Sequence, residues 1–97
     1  MRFRNIEFRW SETNKKYELV KWYMGHQIKE TGTYRGTYEI KDYCCVVAFF
    51  DKDKEGYDMR TVGDRFFEDK DAWVVGKSAM SFLQDTFQIE KDEEELK

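Results

Sequence analysis

The sequence predicts an α+β fold, an antiparallel sheet of four to five strands with one C-terminal amphipathic helix packed on one face. Two observations predict it. The first two thirds of the chain hold short apolar runs and alternating apolar and polar residues, which are typical of strands. The last third changes to the 3-4-3-4 apolar spacing of an amphipathic helix. A chain of 97 residues is long enough for one modest core.

Two strands are expected at the N-terminus. Apolar and charged side chains alternate along residues 2–10, which predicts the first strand. Residues 17–24 are rich in aromatic and β-branched residues and predict the second. The polar residues 11–16 between them predict a turn, so the pair forms a hairpin.

The pattern weakens between residues 25 and 42, where three glycines interrupt a stretch rich in threonine and tyrosine. We expect a short edge strand around residues 34–40, followed by a turn at Lys41 and Asp42. Residues 26–30 are compatible with a single helical turn.

An unbroken apolar run of eight residues, Tyr43 to Phe50, predicts the central strand. The polar turn Asp51–Gly56 follows it, and a second β-like run from Tyr57 to about Phe66 completes a hairpin. Strict alternation places two apolar sets on opposite faces of the central strand: Tyr43, Cys45, Val47 and Phe49 on one, and Cys44, Val46, Ala48 and Phe50 on the other. One helix covers one face, so the other must be closed by residues 25–42, a second subunit or a different partner.

The helix is predicted over about residues 70–88, with a wide apolar stripe and an N-cap at Asp69 or Asp71. We expect one domain over residues 1–89. The acidic residues 90–97 are expected to be a solvated tail, either frayed or a polar extension of the helix.

Charge is distributed unevenly along the chain. Residues 1–41 hold nine basic and five acidic residues, a net charge of +4, whereas residues 42–89 carry −4 and residues 90–97 carry −3. No apolar run is long enough for a membrane span and the first ten residues lack the core of a signal peptide, so a cytoplasmic protein without membrane contact is expected.

Metal, cofactor and catalytic chemistry find little support in the sequence. The turn Asp51–Gly56 resembles the start of a calcium loop, but Val62 stands where the loop needs a bidentate glutamate. The adjacent Cys44 and Cys45 point to opposite faces of a strand and match no zinc or redox spacing. His26 is the only histidine. We expect no cofactor, no metal and no enzymatic activity.

A group of charged residues along the second strand of the central hairpin has two interpretations. Asp58, Arg60, Asp64 and Arg65 either form a polar site that grips an anionic or amide group, or belong to a solvated face with cross-strand ion pairs. The second interpretation is favoured because such pairs are common and each contributes only about 0.2–1 kcal/mol. Gly63 marks a bulge or bend.

Basic and aromatic residues interleave near the N-terminus, and single-stranded nucleic-acid binders combine a positive groove with stacking rings in this way. The alternative function is therefore nucleic-acid binding through Arg4, Arg9, Lys21 and Trp22. The net charge of −3 argues against it.

The run VAFFDKDKEGYDMRTVGDRFF, followed by a helix containing Trp73, resembles short uncharacterised proteins of phages and mobile elements. The resemblance covers about residues 43–83 and transfers no functional residue. It implies a protein that acts by binding and disabling a host factor, such as a defence nuclease.

The leading hypothesis is a non-enzymatic protein-binding module, an anti-defence inhibitor or modulator of a host nuclease or defence complex in the bacterial cytoplasm. Its carboxylates would occupy the nucleic-acid channel of the target. The candidate partner-binding residues are Asp51, Asp53, Glu55, Asp58, Arg60, Asp64, Arg65 and Trp73. The acidic set also includes Glu68, Asp69, Asp71 and Asp85. If the second sheet face stays open, a homodimer would close it.

Overall fold

Five strands and one helix follow one another along the chain in the computed structural model, which describes residues 1–29 and 38–96. The elements are β1 (Arg2–Phe3), β2 (Ile6–Ser11), β3 (Lys16–Lys29), β4 (Tyr38–Asp53), β5 (Gly56–Thr61) and α1 (Lys70–Glu95). The strands pair antiparallel in chain order, β1-β2-β3-β4-β5, and α1 packs across one face of the sheet. The predicted α+β fold, an antiparallel sheet of four to five strands with one C-terminal helix, is confirmed with five strands.

The single strand predicted over residues 2–10 is two strands. The chain reverses after β1, where Arg4 adopts a φ of 55° and Phe3 pairs with Ile6. A positive φ at a non-glycine residue is typical of a tight turn. Alternating side chains alone do not reveal such a turn, because Arg4 fits the pattern of a strand.

β3 and β4 continue past the rest of the sheet as a two-stranded arm, in which His26–Lys29 pair with Tyr38–Lys41. The helical turn expected at residues 26–30 is therefore wrong for 26–29, and the turn expected at Lys41 and Asp42 is wrong. Gly25, with a φ of 60°, sits in a bulge and donates its backbone N–H to the Asp42 carboxylate at 2.7 Å. This bond holds the two strands together, so the ladder continues.

The structure describes only part of the remaining residues between 25 and 42. Tyr38–Ile40, the end of the edge strand expected at residues 34–40, belong to β4 and pair with β3. Residues 34–37 lie outside the described residues. Residues 25–29 and 38–42 lengthen the sheet and do not fold over its second face.

A bulge at Val47 changes which residues of β4 point to each face of the sheet. Leu19 pairs with Ala48 and Val20 with Val46, so Val47 has no partner on β3 and turns into the core beside Ala48. Strict alternation was wrong here, since Val47, Ala48 and Phe50 all pack in the core beneath α1. A bulge adds one residue to a strand and cannot be read from an apolar run.

The face away from α1, called the open face below, is held by ion pairs beside its apolar residues. Glu18 is only 3% exposed and accepts a hydrogen bond from Arg9 at 2.8 Å. Asp51 accepts from Lys16 at 2.7 Å and from Arg60 at 3.4 Å. The expectation of a second apolar face needing a cover was therefore too simple, because charged pairs occupy part of it.

The helix begins at Lys70 and runs to Glu95, longer than the predicted 70–88. Its buried residues end at Leu83, so the last three turns project beyond the core. Residues 90–95 form the polar extension that was one of the two expected outcomes, because glutamate and lysine favour helix and Glu90 pairs with Lys52 at 3.4 Å.

The arm and the projecting helix make the molecule long. Lys21, the last sheet residue before the arm, lies at the start of α1, whereas the end of α1 approaches the β4–β5 turn. The two extensions therefore point in opposite directions. The principal extents are 66 × 27 × 21 Å and the radius of gyration is 17.6 Å.

Candidate partner-binding surface

Large apolar side chains remain exposed on α1 and on the loop before it. The helix buries Ala72, Val75, Gly76, Ala79 and Leu83 against the sheet. Four larger residues lie outside this stripe and are at least half exposed, as is one residue of the preceding loop. They are Trp73 (50%), Val74 (51%), Phe82 (54%), Ile89 (59%) and Phe67 (69%). These five residues are called the outer helix surface below.

Trp73 and Phe67 are held in place by the buried Phe66. The Phe66 ring lies edge-on to Phe67 at 5.4 Å and to Trp73 at 6.1 Å between centroids. The Lys77 ammonium lies 5.0 Å from the centre of the Trp73 ring, a cation–π contact on the solvent side. The two exposed rings are therefore anchored to the core while one side of each faces water.

Val74 lies on the opposite flank of the helix, beside β1. Together with Phe3, Met1 and Ser78 it lines a cavity of about 250 Å³ between α1 and the first strand. Met1 and Phe3 are themselves exposed. The apolar surface thus extends from the helix onto the sheet edge.

Three of the candidate carboxylates are engaged within the fold. The Lys16 hydrogen bond lowers the pKa of Asp51, against the effect of burial, and Arg60 adds to it. The Asp53 carboxylate accepts from the backbone N–H groups of Glu55 and Gly56 and so fixes the hairpin turn. Asp69 is the N-cap of α1. These three residues stabilise the fold and present little unengaged charge to a partner.

The charged group predicted along the second strand of the central hairpin is not brought together. Asp58 and Arg60 lie on exposed positions of β5, and Arg60 pairs with Asp51. β5 ends at Thr61, so the strand predicted to about Phe66 is wrong beyond that residue, and Asp64 lies in the following loop. Arg65 contacts Cys45 on the face that carries α1. The interpretation of a solvated face with cross-strand ion pairs fits Arg60 and Asp51. Gly63, with a φ of 61°, marks the predicted bend.

Other candidate carboxylates point into solvent. Within residues 1–29 and 38–96, five of them are exposed and make no hydrogen bond or ion pair through the carboxylate: Glu55, Asp58, Asp64, Glu68 and Asp85.

Two cations of the predicted nucleic-acid set have internal partners. Arg9 donates to Glu18, and Lys21 bonds Asp69 at 2.8 Å, which raises the pKa of Lys21. Trp22 donates its indole N–H to Glu7. Arg4 lies over the Phe3 ring at 5.3 Å. Within residues 1–29 and 38–96, two of the three cations of this predicted set are therefore paired with carboxylates.

A cavity of about 600 Å³ lies at the end of the sheet near both hairpin turns. Trp10, Tyr17 and Tyr57 supply aromatic lining, while Lys16 and Arg60 at its rim both pair with Asp51. The lining holds four cations, Lys15, Lys16, Lys52 and Arg60, and one carboxylate, Asp51, so it carries a net positive charge.

Cys44 and Cys45 are both free thiols and lie on opposite faces, next to Arg9 and Arg65 respectively. Over the described ranges, no three histidine, cysteine or acidic side chains come together as a metal site. The described helix is not apolar enough to cross a membrane.

Comparisons with protein-family models, curated proteins and solved structures return no match for this chain.

The sequence pointed to Trp73 but not to its neighbours. Phe67, Val74, Phe82 and Ile89 are not among the candidate residues that the sequence predicts. The available signal was the unusual width of the apolar stripe on α1, which exceeds what a single sheet face can cover.

Proposed function

We propose that the protein is a non-enzymatic binding module whose partner is another protein, and that the outer helix surface contacts this partner. One observation carries the proposal. Five large apolar side chains, at least half exposed, lie on one helix and its preceding loop. Neighbouring exposed apolar groups, such as Trp73 and Phe67 around the Phe66 ring, mark interaction sites, whereas single ones are ordinary.

The residue types and their rigidity support this use. Tryptophan and phenylalanine contribute much of the energy of protein interfaces when they enter a pocket on the partner. Trp73 and Phe67 are already oriented by Phe66, and the helix is capped by Asp69. Little conformational entropy is lost when such preorganised groups bind.

A narrower hypothesis is that this partner is a host nuclease or defence complex and that the protein is encoded by a phage or mobile element. It rests on the resemblance described above and on acidic surface. Exposed carboxylates occur on the β4–β5 turn at Glu55, on β5 at Asp58 and along the helix end at Glu93 and Glu94. Such groups can compete with phosphates for a basic channel.

The direct experiment is affinity capture from a bacterial lysate at physiological salt, with matched tryptophan variants. Trp73→Ala should lose the captured protein, because it removes an exposed ring of the outer helix surface. Trp10→Ala is the control, since Trp10 is similarly exposed (45%) but lies on β2, where it contacts Tyr17. Both variants must keep the circular dichroism spectrum of the parent.

Equal loss in the two variants, or capture that persists in Trp73→Ala, would contradict the assigned surface. A gel-shift series over increasing salt tests the alternative function. Binding of single-stranded nucleic acid that weakens steeply with salt and requires Arg4 would favour that alternative.

A further inference from the structure

The sheet has a notch at one end, because its two hairpins stop at different points. β3 pairs with β4 only from Tyr17, which lies opposite Phe50. β4 and β5 continue to pair as far as Asp53 and Gly56. The cavity of about 600 Å³ described above lies in this notch, between the β2–β3 turn and the projecting end of the β4–β5 hairpin. Its volume falls within the range of small-molecule sites.

Aromatic rings form one wall of the notch. Trp10 and Tyr17 lie opposite each other on β2 and β3, and their rings meet edge to face at 5.0 Å between centroids. Tyr17 also stacks on Phe8 at 5.1 Å, which fixes its ring, whereas Trp10 is 45% exposed. Tyr57 lines the same cavity from β5. These rings give a flat ligand a surface on which to stack.

The rest of the lining is cationic. It holds Lys15, Lys16, Lys52 and Arg60, with Asp51 as its carboxylate. Asp51 binds two of these cations, Lys16 at 2.7 Å and Arg60 at 3.4 Å. One carboxylate therefore faces two cations, and this group of three keeps a positive charge.

Two glutamates at the rim reduce the positive charge without cancelling it. Glu12 pairs with Lys15 at 2.9 Å and Glu90 with Lys52 at 3.4 Å, which leaves a charge of +1 when both are counted with the lining. Their side chains are 79% and 58% exposed, and ion pairs this exposed are weak. Asp58 is exposed on β5 and lies outside the lining. An anionic ligand can therefore displace either glutamate at low cost.

A backbone N–H also points into the notch. The Gln84 side chain accepts from the N–H of Tyr57 at 3.3 Å and donates to its carbonyl at 3.1 Å, so the backbone groups of Tyr57 point away from β4. Lys52 lies directly opposite Tyr57, and its own N–H and C=O must therefore point away from β5. That direction is the notch, because the pairing of β3 with β4 stops at Phe50. Backbone N–H groups together with Lys and Arg side chains are common donors to phosphate.

We propose that the notch binds a phosphorylated compound with a flat ring, such as a nucleoside monophosphate. The phosphate contacts Lys16, Arg60 and the backbone N–H of Lys52, and the ring stacks on Trp10. A free nucleotide and the terminal nucleotide of a single strand present the same groups. The inference does not depend on the proposed function, because the outer helix surface contributes no residue to the lining.

The indole N–H signals of the three tryptophans test the site by NMR. Adenosine monophosphate should shift the signal of Trp10, whereas the signals of Trp22 and Trp73, which lie outside the lining, are internal controls and should not move. Adenosine or inorganic phosphate alone should bind at least about tenfold more weakly, because each supplies only part of the contacts. An unmoved Trp10 signal at about 10 mM nucleotide, or equal affinity for inorganic phosphate, would overturn the proposal.

Charge and ring variants test the assigned contacts by calorimetry. Arg60→Gln should weaken binding of adenosine monophosphate by about fivefold, because it removes a phosphate donor while Asp51 keeps its 2.7 Å bond to Lys16. Lys77→Gln removes the same charge from α1, outside the lining, and is the matched control. Trp10→Leu keeps an apolar side chain without the stacking ring and should weaken binding by about tenfold. Equal affinities of the Arg60→Gln and Lys77→Gln proteins, or full affinity in Trp10→Leu, would refute these contacts.

A short single strand distinguishes the two sources of the ligand. It is compared with adenosine monophosphate at one salt concentration, once with a 5′-phosphate and once without. If the phosphorylated strand binds as tightly as the nucleotide and the other strand does not, the site takes strand ends. If both strands bind more weakly than the nucleotide, it takes free nucleotides. Tight binding of both strands that does not change in Trp10→Leu would contradict the proposal, because the strand would then be held elsewhere.

Discussion

Lys21 of β3 and Asp69 at the start of α1 join the sheet to the helix through an ion pair of 2.8 Å between Nζ and Oδ2. The other carboxylate oxygen of Asp69 accepts the backbone N–H groups of Asp71 at 2.9 Å and Ala72 at 3.3 Å. One side chain therefore both caps the helix and fixes its start on the sheet. Both side chains are largely shielded from solvent.

Replacing this carboxylate should separate its two roles. Asp69→Ala removes the cap and the ion pair and should lower the free energy of unfolding by about 1–2 kcal/mol. Asp69→Asn keeps a capping oxygen and should cost less than half of that. Asp71→Ala, in the first turn but not at the cap, is the control. Urea unfolding followed by circular dichroism measures all three, and equal losses for Asp69→Ala and Asp69→Asn would show that capping is unimportant.

The free energy of unfolding should fall at acidic pH, because folding lowers the pKa of two aspartates, Asp69 and Asp51. Burial acts to raise the pKa of Asp69, but the hydrogen bonds from Lys21, Ala72 and Asp71 outweigh it and lower that pKa. The Lys16 hydrogen bond lowers the pKa of Asp51. A carboxylate whose pKa is lowered by folding stabilises the protein above its unfolded pKa, about 4, and loses this contribution as pH falls through the folded pKa.

The measurement is an NMR titration of the Asp51 carboxyl group. Its pKa should lie below the ordinary aspartate value in the parent protein and rise toward it in Lys16→Gln. Lys15→Gln is the control, because Lys15 pairs with Glu12 and not with Asp51. A pKa unaffected by Lys16→Gln would rule out Lys16 as the cause.

Gly76 is predicted to be required for close packing of the helix. A Cβ at this position would lie 3.1 Å from the Phe66 ring and 3.3 Å from the Met59 sulfur. Alanine normally favours a helix over glycine by about 1 kcal/mol, but overpacking against a buried ring costs about 1–3 kcal/mol. Gly76→Ala should therefore destabilise by about 1 kcal/mol. In a Phe66→Leu background the same change should become neutral or stabilising, and thermal unfolding of the four proteins in this cycle provides the check.

Because Glu18 is buried, breaking its ion pair with Arg9 should cost more stability than breaking an exposed ion pair. Arg9→Ala leaves a carboxylate that is 3% exposed without its 2.8 Å partner and should cost about 1–3 kcal/mol. Adding Glu18→Gln should recover part of this loss, because a neutral amide is less costly to bury. Lys15→Ala, which breaks an exposed pair with Glu12, should change stability by less than 0.5 kcal/mol. Chemical denaturation decides, and a double variant no more stable than Arg9→Ala would contradict this account.

Much of the architecture could be predicted because it depends on periodicity. The alternation in β2 and the 3.6-residue spacing after Asp69 determine the strand and helix types and the start of α1. The bulge at Val47 and the reversal at Arg4 could not be predicted, since each depends on a single backbone conformation that many sequences tolerate. The arm was missed because Gly25 appeared to end a strand, whereas its bond to Asp42 continues one.

The candidate surface was harder to predict from the sequence than the fold was. Carboxylates such as Asp51 and Asp53 looked available because a sequence does not show which side chains they bond within the fold. Trp73 was identified as a candidate, but its exposure depends on how little of α1 the narrow sheet covers. The width of the sheet depends on how all of its strands pair, and a local sequence pattern does not show this.

The elongated shape has a consequence for chromatography. A compact chain of 97 residues should have a radius of gyration of about 12.5 Å, whereas this one has 17.6 Å, the value of a compact chain on the order of 240 residues. A single copy will therefore elute from a sizing column earlier than its mass implies, near the position of a globular dimer. Elution volume alone would consequently give the wrong stoichiometry, and only a method that reads mass independently of shape distinguishes one copy from two.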